Sequence, residues 1–160
     1  MIPRDPAATD FETKYRPSLE ARLEPGETLE GICACSQQKG LFSGGVAVLG
    51  ITDRRLILQE IDRRGEPDGE PRILAPADIS SAKVEGAGGG WAEIGSAIMD
   101  RHAVKLTVKT TAGEKLKLMF MRAEGGGLMA TLGGGEAQRR GVEALGRWFA
   151  RLDATGSDPL

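Results

Sequence analysis

The chain is short of the groups that most reactive chemistry uses. It holds two cysteines, Cys33 and Cys35, and a single histidine, His102, in 160 residues. A metal centre would need further ligands of this kind. In a strand the two cysteines point to one face, with Cα atoms near the upper limit of disulfide reach. They are expected to be small core-facing thiols in a reducing compartment. No apolar run approaches the roughly 18 residues of a membrane span; the longest lies near Gly44–Ile51. Met1-Ile2-Pro3-Arg4-Asp5 has no apolar core of the kind a secretory signal needs. Net charge is only -2, which makes no case for nucleic acid. The expected compartment is the cytoplasm, with the inner face of the membrane as a peripheral site.

Catalytic and cofactor signatures are equally thin. His102 follows Asp100 and Arg101 at an expected strand entry, where a solvated histidine is the ordinary case. No serine, cysteine and histidine arrangement has recognisable spacing, so no enzyme is expected. Gly125-Gly126-Gly127-Leu128-Met129-Ala130 matches a G-x-G-x-x-A spacing. A dinucleotide site also needs a long helix there and a following parallel strand, and Gly133 stops such a helix early. No cofactor is expected, and the glycines read better as a hinge.

What the chain does have is hydrophobic alternation. Hydrophobic residues make up 40% and charged ones 28%, ordinary for a soluble single domain that buries about 70% of its unfolded surface. If Asp53-Arg54 is a two-residue loop, Ile51 faces Leu56 and Leu49 faces Leu58, giving one apolar face. The other face carries Val48, Gly50, Arg55, Ile57 and Gln59, suited to partial cover. Asp-Arg is not a favoured pair for the primed turns, so a longer loop or a bulge stays open. Before this hairpin, Glu27–Ser36 alternates with Leu29, Gly31, Cys33 and Cys35 on one side. After it come short strands at Arg72–Leu74 and Asp78–Glu85, broken by Pro76, beyond an exposed connection at Arg63–Pro71.

A later hairpin alternates most clearly. Val104, Leu106 and Val108 oppose Lys105, Thr107 and Lys109; Leu116, Leu118 and Phe120 oppose Lys115, Lys117, Met119 and Met121. The loop Thr111-Ala112-Gly113 keeps the faces matched, and Gly113 falls where a positive φ is needed. Finally Val142, Leu145, Phe149 and Leu152, with Trp148 beside them, form a helical stripe. Thr9-Asp10-Phe11-Glu12 opens a short N-terminal helix with a capping box. Pro17 interrupts that helix or starts a second piece, Ser18–Leu23.

The wording Ile51-Thr52-Asp53-Arg54-Arg55-Leu56 and this order of strands and terminal helix resemble bacterial pleckstrin-homology-like (PH-like) domains, over about Glu24 to Leu152. The resemblance implies a mainly β fold with α elements. Two near-orthogonal antiparallel sheets would form a half-open barrel closed by the C-terminal helix, where Trp148 is similar to a packing tryptophan of that family. The implied division is an N-terminal helical arm over 1–24, a domain over 25–152 with Gly-rich inserts at 86–90 and 125–135, and a flexible tail over 153–160. The inserts depart from the family pattern, and 91–99 reads equally as helix or irregular strand.

The resemblance implies a non-catalytic binding or adaptor module. Family members that bind phosphoinositides place several cations around the first loop, because each phosphate presents several acceptors. Here that loop, Ser36–Ser43, has only Lys39. Leu41 and Phe42 beside it form either an apolar wedge for a partner or membrane, or a cover over the barrel end. Lys105, Lys109, Lys115 and Lys117 share one outer face. They read as a landing patch for an acidic partner or as protection against sheet aggregation. Met119 and Met121 on that face suggest cover by another subunit, or in cis by Leu128, Met129 and Leu132. Trp91 is either an interface anchor or buried in the domain. The expected partner is a protein or a second copy, with an anionic membrane surface as the alternative.

Overall fold

Apolar alternation in two β-meanders sets the architecture. The computed structural model describes residues 11–38, 44–62, 64–86, 91, 104–120 and 135–156. Among them run α1 (Phe11–Glu20), β1 (Leu29–Gln38), β2 (Gly44–Thr52), β3 (Leu56–Glu60), β4 (Arg72–Leu74), β5 (Ile79–Glu85), β6 (Val104–Thr110), β7 (Lys115–Phe120) and α2 (Gly135–Gly156). The strands form one curled, half-barrel antiparallel sheet in the order β4-β3-β2-β1-β7-β6-β5. The two sheets expected from the sequence are thus joined into one hydrogen-bonded surface, by a short seam pairing Ser36, Gln37 and Gln38 with Met119, Leu118 and Lys117.

Both expected hairpins form in the expected registers. Leu49 pairs with Leu58 and Ile51 with Leu56 across the turn at Asp53-Arg54. In the later one Val104 pairs with Phe120, Leu106 with Leu118 and Val108 with Leu116, and Gly113 takes a φ of 88°. These side chains line the inner face, where Val142, Leu145, Trp148 and Phe149 of α2 complete the core. Cys33 and Cys35 lie in that core as free thiols. The helix continues through 153–156, beyond Leu152 where the domain was expected to end.

Leu29 departs from the expected alternation. It packs with Ile32 and Ala34 on the outer side, because a register irregularity between Leu29 and Gly31 shifts the parity of the strand. Pro17 also behaves differently from expectation. It sits inside a single α1 rather than dividing it, with its ring on the exposed face. A 3-10 turn, Pro76–Asp78, separates β4 from β5 as the proline suggested.

The barrel corner depends on how closely α2 meets β1. Where β1 diverges from β7 the free side of Ala34 would lack a ladder partner. The Gln138 amide supplies it: Ala34 N–H donates to Oε1 at 2.8 Å and Nε2 donates to the Ala34 carbonyl at 2.7 Å. Both residues are wholly buried. Gln138→Leu keeps the bulk but orphans a buried N–H and C=O, each worth roughly 1–3 kcal/mol when left unsatisfied. A loss of about 3 kcal/mol in urea-unfolding stability is the expected result.

Candidate interaction surface

The outer face of the sheet is split into a half covered by α1 and a half left bare by the described residues. Over β1, β2 and β3, α1 lays Tyr15 and Leu19 onto Ile32, Ala34, Val48, Ile57 and Ile61, forming a second apolar cluster. This is why β2 reads as a near-continuous apolar run: it is buried on both faces. The Tyr15 hydroxyl donates to the Gly65 carbonyl at 2.6 Å, tying α1 to the β3–β4 connection. Burial, helped by Glu66 and Asp62, pushes that phenol up to about 12.

The segment after α1 is clamped by the first hairpin turn. Arg55 donates from Nε to Glu27 Oε2 at 2.9 Å and from Nη2 to Oε1 at 2.6 Å. Thr52 Oγ1 donates to Oε2 at 2.6 Å, and the Glu24 N–H to Oε1 at 2.9 Å. The Glu27 side chain is fully buried, and its bond to Arg55 holds the carboxyl down to about 2. Asp53 completes the clamp by accepting from the Thr28 N–H at 2.9 Å and donating its own N–H to the Thr28 carbonyl at 3.0 Å. The Thr52–Arg55 turn therefore fastens α1 and its connection to the sheet.

The bare half belongs to β5, β6, β7 and the end of β1. Its first row is Ser81, Lys109 and Lys115; its second is Lys83, Thr107, Lys117 and Gln38; its third is Glu85, Lys105, Met119 and Ser36. Lys105, Lys109, Lys115 and Lys117 are all exposed, while Thr107 and Met119 are half-buried. Lys109 stands directly opposite Lys115. Lys83 pairs with Glu85 at 3.5 Å, and Glu114 at the tip of the hairpin pairs with Arg72 on β4. Among the described residues, no carboxylate lies within ion-pair distance of the four lysines singled out from the sequence.

The other sequence candidates fall elsewhere. Trp91 is half-buried, stacked on Phe149 of α2 with ring centroids 4.6 Å apart and planes 12° apart, so its ring covers the inner core. It is not brought to the lysine face. Lys39, Leu41, Phe42, His102 and Met121 lie outside the described residues, as do Leu128, Met129 and Leu132, the helix cap at Thr9-Asp10 and the choice between helix and strand over 92–99. Sequence reasoning passed over Glu27, Tyr15 and Gln138. Two of these carried a signal: Gln138 continues the stripe of Val142, Leu145 and Phe149 one turn upstream, a polar residue at a core position, and Tyr15 stands four residues before Leu19 and eight before Leu23 on one helical face.

Cys33, Cys35 and Glu27 are held in structural roles by the fold. Burial pushes Cys35 up to about 12 and Cys33 well above the ordinary thiol range, with Cys35 adding to the latter. Both stay protonated near neutrality and are poor nucleophiles. The Glu27 carboxylate is consumed by four bonds.

No family model matches the chain, and no curated protein does. Among solved structures it is similar to the C-terminal domain of an unknown protein from Leishmania infantum, at 16% identity and a TM-score of 0.45, covering 92% of this chain and 95% of that one. It is also similar to the N-terminally truncated linker-DH/PH domains of p115-RhoGEF, at 11% identity and a TM-score of 0.44, covering 96% of this chain. The chain spans 37% of the length of that RhoGEF chain. Among the described residues, no helix is long and apolar enough to cross a membrane.

Proposed function

We propose that the chain is a PH-like, non-catalytic binding module that engages a protein partner or a second copy of itself. The observation that carries this is the split outer face. One half is sealed by α1, and the other presents four lysines with no carboxylate partner among the described residues. The strand order, two meanders followed by a helix packed on their inner face, supports the PH-like assignment. Occupation of Cys33, Cys35 and Glu27 in structural roles supports a module that binds rather than reacts.

Light scattering on the full chain, with affinity capture alongside it, tests this. The expected result is either a mass above that of one chain or a captured protein that K109E/K115E releases. A strict monomer capturing nothing contradicts the reading. A second reading, attachment to an anionic membrane, draws on the same lysine face. Flotation with anionic vesicles at low salt decides it, since absence of binding there removes it.

A further inference from the structure

We infer that the lysine face receives an extended acidic polypeptide segment whose carboxylates stand at alternate positions. This rests on the binding-module reading and names the chemistry of its partner. On β6, Lys105, Thr107 and Lys109 are successive residues of one face, about 7 Å apart along the strand, and β7 lies about 5 Å to the side. An extended peptide presents its alternate side chains at that same repeat of about 7 Å. Laid along the β6–β7 hairpin, it sets one carboxylate between Lys109 and Lys115. The next falls beside Lys117, and the following alternate residue falls over Met119 and Lys105. The fitting pattern is acidic-x-acidic-x-apolar.

Two further features favour this occupant. Lys109 opposite Lys115 is an unfavourable like-charge pair in the isolated fold, and a carboxylate between the two ammonium groups relieves it. Lysine presents a compact charge on a flexible stem, which suits single carboxylates spread along a chain better than planar two-point recognition. A lipid surface fits less well. Besides the lysines, the three rows carry Ser81, Thr107, Gln38, Ser36 and Glu85, whose carboxylate is taken up by Lys83, and Met119 is their only large apolar side chain, whereas stable membrane attachment needs an inserted apolar element.

The test is fluorescence anisotropy of the full chain with labelled Ser-Glu-Ser-Glu-Ser-Leu and its isomer Glu-Glu-Ser-Ser-Leu-Ser, at about 50 mM salt. The alternating peptide is expected to bind at least about threefold tighter than the isomer, since only it places both carboxylates on the lysine side. K109Q/K115Q is expected to weaken it about fivefold to tenfold, as two ion pairs are lost. The same variant is expected to melt at or above the wild-type temperature, because the opposed charges are gone. Binding loss is thereby separated from fold loss. R64E, on the covered side, is expected to leave affinity within about twofold. Equal affinity for the two isomers, or full affinity in K109Q/K115Q, overturns the inference. So does flotation on anionic vesicles that K109Q/K115Q abolishes while neither peptide binds, which assigns the face to a membrane. A chain that self-associates by light scattering but ignores both peptides overturns the inference and leaves the binding-module reading standing.

Discussion

Replacing Gly141 by alanine is expected to destabilise the domain by at least about 3 kcal/mol, the largest loss from adding a single methyl group. A Cβ at Gly141 would stand 2.0 Å from the Ile32 carbonyl oxygen and 2.5 Å from its carbon, against backbone that no rotamer change can move. Overpacking a core costs roughly 1–3 kcal/mol by itself. Here α2 must also retreat from β1, which pulls the Gln138 amide off Ala34 and adds the cost of orphaned buried groups. The better helix propensity of alanine returns only about 1 kcal/mol. For a chain of this length the melting temperature should fall by roughly 10 °C. Gly45→Ala is the matched control. An added Cβ there meets nothing within 4 Å, so the same change should be neutral or stabilising by up to about 1 kcal/mol. Equal melting temperatures for the two variants would show that α2 does not seat against β1 as described.

Glu27→Gln is expected to remove most of the acid sensitivity that the α1 clamp contributes. The Glu27 carboxyl sits at about 2 against an ordinary value of 4.5, chiefly because Arg55 bonds it, with Thr52 and the Glu24 N–H adding to the effect. Its folded value is depressed, so its stabilisation is complete above the unfolded value and drains away as pH falls through 4.5 toward 2. The full contribution is about 3 kcal/mol near neutrality, and roughly half is gone near pH 3.5. Wild type should therefore exceed Glu27→Gln by about 3 kcal/mol at pH 7. The gap should narrow steadily in urea titrations on going to acid. Asp62 and Glu114 are also lowered, by backbone bonds and by Arg72 respectively, but both variants keep them. The difference between the two curves thus isolates Glu27. A gap that stays constant with pH contradicts the clamp.

Strand register was legible because each pattern has a two-residue period that a one-residue slip would invert. Leu49–Leu58 and the Lys109–Lys115 turn therefore fold as read, in register and in facing. Cover was legible only indirectly. Val48 and Ile57 stood on a face suited to partial cover, but the side chains that bury it, Tyr15 and Leu19, belong to a helix that Pro17 was expected to interrupt. The Thr52–Arg55 turn was read as a turn alone. Its role as a clamp depends on Glu27, 28 residues from Arg55 in the chain, and no local pattern encodes such a pairing. Leu29 was misplaced because a bulge changes parity without a marker residue. Among the candidate binding residues, the four lysines share a face because alternation dictates it. Trp91 turned inward to Phe149, a stacking partner supplied by a helix far along the chain.

The most direct test of the account is an amide chemical-shift titration of the full chain with the alternating peptide. The account predicts that the largest shifts fall on Thr107, Lys109, Lys115, Lys117 and Met119, with Tyr15, Leu19 and the Asp53–Arg55 turn unmoved. Shifts concentrated on α1 and β2, or no shifts at all, would contradict it.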